Sequence, residues 1–420
     1  TNRVIGEMDA TTLCPRKTGL VGCRHQPGIA MTSGLHQGSD QQRISRPWRR
    51  WLTVISVWVC GCWSVSGLAA DPKPQASKAE RIAVFRENVD KILRQLDTRQ
   101  GPGLAVWVEW EGEVIYNNWA GLAQREQRIP IDGNTAFELA SASKPMTATA
   151  VMQLADSGLL KLDDSVLRWL PELPAAWENI TVRHLLAQSA GVPDYMRQIT
   201  ASTLMELDGL TNDKLLQRWR SDPRLNFPPG TNAQYSNSNY VLLAEIIARA
   251  CGTPYGQCLK QRMFDPLGMT HTRVETDESL PSETLALNYA ATKRTKGIQL
   301  RTEGPTGIYS SLSDLALWLR AYQSGKILSA ASQARMTTPG SANAAFENGD
   351  KYGLGWVLSA DKPEHGAYAH AGQKDGYRTL IRVNPHYRVN YVLLSNGGDW
   401  VQPVSNEVHY WIQELFEGSF

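Results

Sequence analysis

At 420 residues, 42% hydrophobic and 20% charged, with a formal net charge of +2, the chain has the composition of an ordinary globular protein. The near-neutral charge and the lack of a basic stripe interleaved with aromatics exclude a nucleic-acid-binding role. The sequence shows no repeat at a solenoid period and no low-complexity tract, so the length suits two domains, or one domain carrying a large insertion.

The first seventy residues stand apart from the rest. Arg46, Arg49 and Arg50 precede an apolar run from Trp51 to Gly61, and small residues follow at Gly67, Ala69 and Ala70. Basic, apolar and small segments in that order predict a signal peptide over about 46–70, cleaved near Ala69 or Ala70, within a leader of residues 1–70. The apolar run falls short of the roughly 20 residues that span a bilayer. A lipid anchor on Cys62 is the weaker alternative, since Cys60 fits the preceding pattern poorly. Residues 1–45 are long for a basic n-region, and a start at Met31 would leave a more ordinary leader. The expected location is secreted or periplasmic. Cleavage leaves two of the six cysteines, Cys251 and Cys258, for which a disulfide and two buried thiols are both open readings.

In the mature chain, Ile82, Phe85, Val89, Ile92, Leu93 and Leu96 recur at helical spacing over residues 78–97. Gly103–Glu109 and Glu113–Trp119 read as a hairpin closed at Trp110-Glu111-Gly112. From Pro145 the pattern turns helical: Met146–Ser157, Thr181–Gln188, Asp213–Arg220, Asn239–Ala250, Tyr255–Phe264 and Ser311–Tyr322. Strands return at Tyr352–Leu358, Tyr377–Val383 and Val389–Leu394, and a helix over Val404–Phe416 closes the chain. This layout is an α/β (α+β) domain over residues 78–420, with a helical subdomain at about 145–305 inserted between sheet-forming parts 78–140 and 306–420. The two strand-rich ends form one mainly antiparallel sheet only by pairing across the insertion.

Three short motifs carry the chemistry. Ser141 and Lys144 stand three apart in Phe137-Glu-Leu-Ala-Ser-Ala-Ser-Lys144, at a helix start. Residues at that spacing share one helix face, so a lysine can take the proton of an otherwise weak serine nucleophile. Backbone N–H groups of the first turn are then available to an oxyanion. Tyr235 and Asn237 follow, in a loop stiffened by Pro228 and Pro229. A phenol beside an ammonium ionises more readily and can relay a proton, and an amide can hold both lysine and a substrate carbonyl. Last comes His370-Ala-Gly372-Gln373, where Gly372 admits close backbone approach and the Gln373 N–H is the second oxyanion donor. Alone, each motif is noise. Ser359 and Lys362 also form S-x-x-K, and Tyr116 and Asn118 form Y-x-N, but neither copy has the right context. No metal motif and no cofactor-binding pattern appears, no partner protein is indicated, and alanine at position 187 breaks a G-x-S-x-G elbow around Ser189.

Together, Ser141-x-x-Lys144, Tyr235-x-Asn237 and His370-x-Gly372 resemble the penicillin-recognising serine hydrolases, most nearly the branch of class C β-lactamases, soluble D-Ala-D-Ala carboxypeptidases and lactamase-like esterases. Ile180–Leu186, Ala190–Tyr195, Pro266–Met269 and Gly307–Ser311 fit the same branch. The resemblance covers residue 80 to the C-terminus. It implies a mixed sheet flanked by helices with a helical domain, and acyl-enzyme chemistry without a cofactor on a small-molecule or peptide substrate (a peptidoglycan stem peptide, an ester or a β-lactam). Class C enzymes usually carry lysine where His370 stands, so the resemblance points to peptidases and esterases before β-lactamases, with a penicillin-binding receptor as the reading without turnover. A carboxypeptidase must hold a terminal carboxylate, and Lys374 and Arg378 are the candidate cations.

Overall fold

The computed structural model describes residues 76–96, 101–197, 208–275, 284–290, 293–294, 300–340, 349–361 and 363–417. The expected signal peptide and Lys362 lie outside them. Among the described residues, no helix is long and apolar enough to cross a membrane, and no group of three or more His, Cys, Asp or Glu is placed to hold a metal ion.

Helix α1 (Lys78–Leu93) starts at a capping box in which Ser77 and Glu80 bond each other's backbone N–H. It ends at Leu93, short of residue 97. Strands β1 (Leu104–Trp110) and β2 (Glu113–Ala120) form the hairpin, with Glu111 and Gly112 both at positive φ in its turn. A short strand β3 (Ala136–Glu138) leads through a 3₁₀ turn at Ala140–Ser143 into α2 (Lys144–Asp156), where Pro145 occupies the first turn and lacks only an N–H that would be unpaired anyway. The helical region contributes α3 (Asn212–Trp219) and α4 (Asn237–Cys251), the latter ending at Gly252 with φ 70°. Cys251 is disulfide-bonded to Cys258 on the next short helix.

Strand β4 (Arg273–Val274) pairs with β5 (Ile308–Ser311), which also pairs with β3, so a small three-stranded sheet backs the 3₁₀ turn. Helix α5 (Leu312–Gln323) follows, capped by Ser311. The run Tyr352–Leu358, read as one strand, is two: β6 (Lys351–Tyr352) and β7 (Val357–Leu358) fold on each other antiparallel. The reason lies between them, where Gly355 takes φ 95° and Gly353 approaches the Met336 carbonyl too closely for a side chain. Then come β8 (Tyr368–Lys374), β9 (Tyr377–Asn384), β10 (Val389–Ser395) and α6 (Gly398–Glu417), which begins six residues before the expected Val404 and carries Pro403 inside its first turns.

The main sheet runs β6-β7-β8-β9-β10-β1-β2, antiparallel throughout. Its centre is the β1–β10 ladder, Leu104 opposite Ser395 through Trp110 opposite Val389, which joins the two ends of the chain. Both faces are covered. Leu104, Val106 and Val108 pack with Phe85 and Val89 of α1 and with Val408 and Ile412 of α6, while Ala105 and Trp107 turn into the larger core shared with α2, α4 and α5. A strand buried on both sides reads as a near-continuous apolar run, which is the sequence of β1.

Candidate active site

Ser141 sits in the 3₁₀ turn between β3 and α2, and its predecessor Ala140 has φ 50°, a left-handed conformation that costs a residue with a Cβ about 1–3 kcal/mol. The turn is pinned from behind. Leu139 N–H donates to Ile308 O (2.9 Å) on β5, and the Glu138 carboxylate accepts from Gly307 N–H (2.9 Å). Glu138 is fully buried, and that burial raises its pKa against the pull of Lys374.

Lys144 is also fully buried. Its Nζ lies 3.0 Å from Ser141 Oγ, 2.9 Å from Asn237 Oδ1 and 3.1 Å from the carbonyl of Pro305. Desolvation lowers its pKa to about 7, although Asp194 and Glu138 pull it upward. The contact set fixes the geometry of the neutral amine. Both carbonyl oxygens can only accept, so the two N–H bonds of a neutral lysine go to Asn237 and Pro305, and its lone pair is left facing the Ser141 hydroxyl.

Tyr235 is hydrogen-bonded to Ser141, and Lys144 Nζ stands 4.8 Å from its ring centroid. The easier ionisation expected from the lysine is not what burial produces: desolvation pushes the phenol well above its ordinary value of 10.0, so Tyr235 is a neutral O–H. Its loop is laced to a neighbouring turn. Asn226 N–H donates to Gly191 O (2.7 Å), Gly230 N–H to Ser189 O (2.9 Å) and Gln234 N–H to Gln188 O (2.9 Å). Asn237 opens α4 with Oδ1 toward Lys144 and Nδ2 toward Asp194, at 3.3 Å from Oδ2.

On β8, His370, Gly372 and Lys374 share the face toward the 3₁₀ turn. A Cβ at Gly372 would overlap Leu139 O and lie 3.1 Å from Ala142 N, so only glycine lets the strand lie this close to the serine. His370 is buried, and desolvation and then Lys144 lower its pKa to about 3. Its Nδ1 lies 2.8 Å from Ala371 O, which can only accept, so Nδ1 carries the hydrogen and Nε2 accepts from Tyr352 OH at 3.1 Å. The imidazole is neutral with both nitrogens committed.

The register of β8 turns the backbone N–H of Gln373 away from β9. Ser359 N–H donates to Ala367 O (3.0 Å), so odd-numbered residues on this stretch point their backbone groups toward β7. The β7 ladder ends at Ala369, and β8 has no register shift, so the N–H of Gln373 points past the end of β7 over an open edge. The candidate carboxylate-binding cations are otherwise occupied. Lys374 Nζ stands 3.5 Å from Glu275 and 3.8 Å from Glu138, whose charges outweigh its desolvation and raise its pKa, and Arg378 pairs with Asp399. Ser141, Lys144, Tyr235, Asn237, His370, Gly372 and Gln373 therefore come together, from the three motifs named in the sequence. Glu138, Asp194, Tyr352 and the Pro305 carbonyl join them unannounced: Glu138 and Asp194 sit in segments that carry the resemblance, but nothing in their spacing marks them.

Comparison with known proteins identifies the family. A profile of the Beta-lactamase family matches residues 89–413. The chain is 32% identical over 304 residues to penicillin-binding protein 4* of Bacillus subtilis (strain 168), covering 68% of this chain and 66% of that protein. It is 30% identical over 328 residues to the putative penicillin-binding protein PbpX of the same organism, covering 77% and 78%. Among solved structures, D-amino acid amidase from Ochrobactrum anthropi SV3 superposes with a TM-score of 0.64 at 25% identity, over 79% of this chain and 99% of that one. The octameric penicillin-binding protein homologue from Pyrococcus abyssi gives 0.64 at 23%, over 80% and 77%. The chain belongs to the Beta-lactamase family and is a serine hydrolase of the β-lactamase and penicillin-binding protein superfamily.

Proposed function

We propose that this chain is an exported hydrolase that passes an acyl group through Ser141 and favours donors without a carboxylate beside the scissile bond: small esters and D-amino-acid amides. The carrying observation is the buried Lys144, for which Ser141 Oγ, at 3.0 Å, is the contact among the described residues that can give it a proton. Neutral Lys144 takes the Ser141 proton as Oγ attacks the acyl carbon. The oxyanion is held by the N–H groups of Ser141 and Gln373, and the neutral phenol of Tyr235 donates to the departing oxygen or nitrogen. Water then repeats the steps in reverse order to free the acid.

The substrate preference rests on charge. His370 is neutral, and Lys374 and Arg378 are paired with carboxylates, so the third motif lends no spare cation to a substrate carboxylate. The structural neighbour named as a D-amino acid amidase supports the amide side of this reading. The relatives named as penicillin-binding proteins favour a second one, a D-Ala-D-Ala carboxypeptidase. Export is supported by the leader pattern and by the Cys251–Cys258 bond, which persists in an oxidising compartment.

The test has two parts. A fluorophosphonate should label Ser141, as mapped by mass spectrometry, and Ser141→Ala should remove the label; label elsewhere sinks the mechanism. Steady-state kinetics on a p-nitrophenyl ester, D-phenylalanine amide, a D-Ala-D-Ala peptide and nitrocefin should rank the first two above the others by at least about tenfold in kcat/KM. Preference for the peptide would transfer the conclusion to the carboxypeptidase reading, and labelling without turnover of any of them to a receptor.

A further inference from the structure

The segment after Pro193 contributes a buried carboxylate that the three motifs do not contain. Asp194 is 7% exposed and sits one amide width from Lys144. Its Oδ1 accepts from the backbone N–H of Met196 (3.2 Å) and of Asn237 (3.2 Å), and its two oxygens face Asn237 Nδ2 at 3.4 and 3.3 Å. Each of these partners is a donor, an arrangement that suits the ionised form. An amide has one donor end and one acceptor end, and Asp194 takes the donor end. Asn237 Oδ1 is thereby turned to Lys144 Nζ at 2.9 Å. If the amide were reversed, its carbonyl would face the carboxylate and repel it, and its N–H would compete with Ser141 for the lone pair of the neutral lysine.

We propose that Asp194 is a positioning residue for the acyl-transfer step: through Asn237 it ties one N–H of Lys144 so that the lone pair faces Ser141, and its charge balances the ammonium that forms when the proton arrives. This rests on the acyl-enzyme reading above. It also fixes what Asn237 does, because an amide nitrogen held by Asp194 serves the lysine's orientation before it serves a substrate carbonyl.

The surroundings of Lys144 make the electrostatic part separable. Asp194 faces it from the loop after Pro193, Glu138 from β3, Tyr235 and Tyr240 from the start of α4 and its approach, and His370 from β8. Burial pushes the two phenols up and the imidazole down, which favours the neutral form of all three. Of the two acids, Glu138 is shared with Lys374 and Asp194 acts more strongly on Lys144. Burial raises the pKa of Asp194, and Lys144 and the N–H donors oppose that rise.

The experiment is the pH dependence of the fluorophosphonate labelling rate, from pH 5 to 9, on the mature wild-type protein and on Asp194→Asn, each normalised to its active-site titre. Loss of a neighbouring negative charge destabilises the ammonium, so the midpoint of the acid limb should fall by about one pH unit or more. The plateau should fall as well, by at least about tenfold, because a neutral amide at position 194 no longer dictates which way the Asn237 amide faces. Asp194→Glu, which keeps the charge, should restore the midpoint. A carboxylate with a merely structural role would lower thermal stability and titre and leave the midpoint in place, and that result overturns the proposal. Should Asp194→Asn fail to accumulate, the 13C resonance of the Asp194 carboxyl in the wild-type protein is followed instead. It should show an inflection at the pH of the labelling midpoint, and its absence there overturns the proposal equally. Wild-type protein that is never labelled at Ser141 sinks the acyl-enzyme reading itself, an outcome distinct from both.

Discussion

Gly372→Ala isolates the contact that brings the third motif to the nucleophile. The added carbon would meet Leu139 O well inside van der Waals distance and lie 3.1 Å from Ala142 N. Against ordinary contacts of roughly 3.5 Å, the strand and the turn must part by something on the order of 1 Å. The turn has little room to yield. Leu139 is fully buried and bonded to Ile308 O, its own carbonyl takes the N–H of Ala142 at 3.1 Å, and Ala140 is already in a left-handed conformation. The strand, at an open edge past Ala369, is the freer partner and moves outward, taking the Gln373 N–H with it. Overpacking of this kind costs about 1–3 kcal/mol of stability, but a misplacement of about 1 Å at an oxyanion donor costs about a hundredfold in rate. Stopped-flow acylation by a p-nitrophenyl ester should therefore fall by two orders of magnitude, in a protein that still melts cooperatively a few degrees lower and still binds substrate with a similar KM. Acylation within about threefold of wild type in a folded variant would show that β8 does not supply the oxyanion contact.

Four further outcomes follow from the same geometry. With Lys144 held down to about 7 by burial, acylation should be flat above that pH, where the amine is neutral, and fall about tenfold per unit below it; a rate still climbing at pH 9–10 would mean the lysine is solvated. Tyr235→Phe should leave labelling by a good leaving group within about tenfold but slow amide cleavage by at least about a hundredfold, since only a poor leaving group needs the phenolic proton; equal losses on both would remove that role. Tyr352→Phe strips the buried Nε2 of His370 of its donor and should lower stability by about 1–3 kcal/mol in chemical denaturation while Ser141 still labels; an unchanged midpoint would mean that the bond carries nothing. Cys251→Ser with Cys258→Ser opens a loop of sequence separation 7, worth about 2.5 kcal/mol in chain entropy, and should lower the unfolding midpoint without altering acylation.

The legible part of this chain is the part that local pattern determines. Ser141, Lys144 and Pro145 announce a helix start, and the helix expected over Asn239–Ala250 forms as α4 with its start at Asn237, because capping and first-turn chemistry act within a few residues. The β1–β2 hairpin is visible for the same reason. What the sequence hides depends on distant segments. Tyr352–Leu358 alternates like one strand, yet two glycines fold it into a hairpin because Met336 lies across the way. Tyr235 beside a lysine looks acidified in one dimension, but in three the desolvation of the phenol outweighs the charge. Lys374 and Arg378 look like free cations flanking a turn, until β3, Glu275 and α6 bring acids to them. Asp194 makes the same point from the other side. A lone aspartate after a proline reads as a turn residue, and its relation to Lys144 exists only because the 188–195 segment is laced to the Tyr235 loop and Tyr195 N–H donates to Ser238 Oγ at 3.0 Å. The motifs identify the residues that the structure brings together, whereas the protonation state of each is set by partners contributed from elsewhere in the chain. Family membership can therefore be read from three short segments, while the charge state of the residues in them depends on acids and burial that only the folded chain supplies.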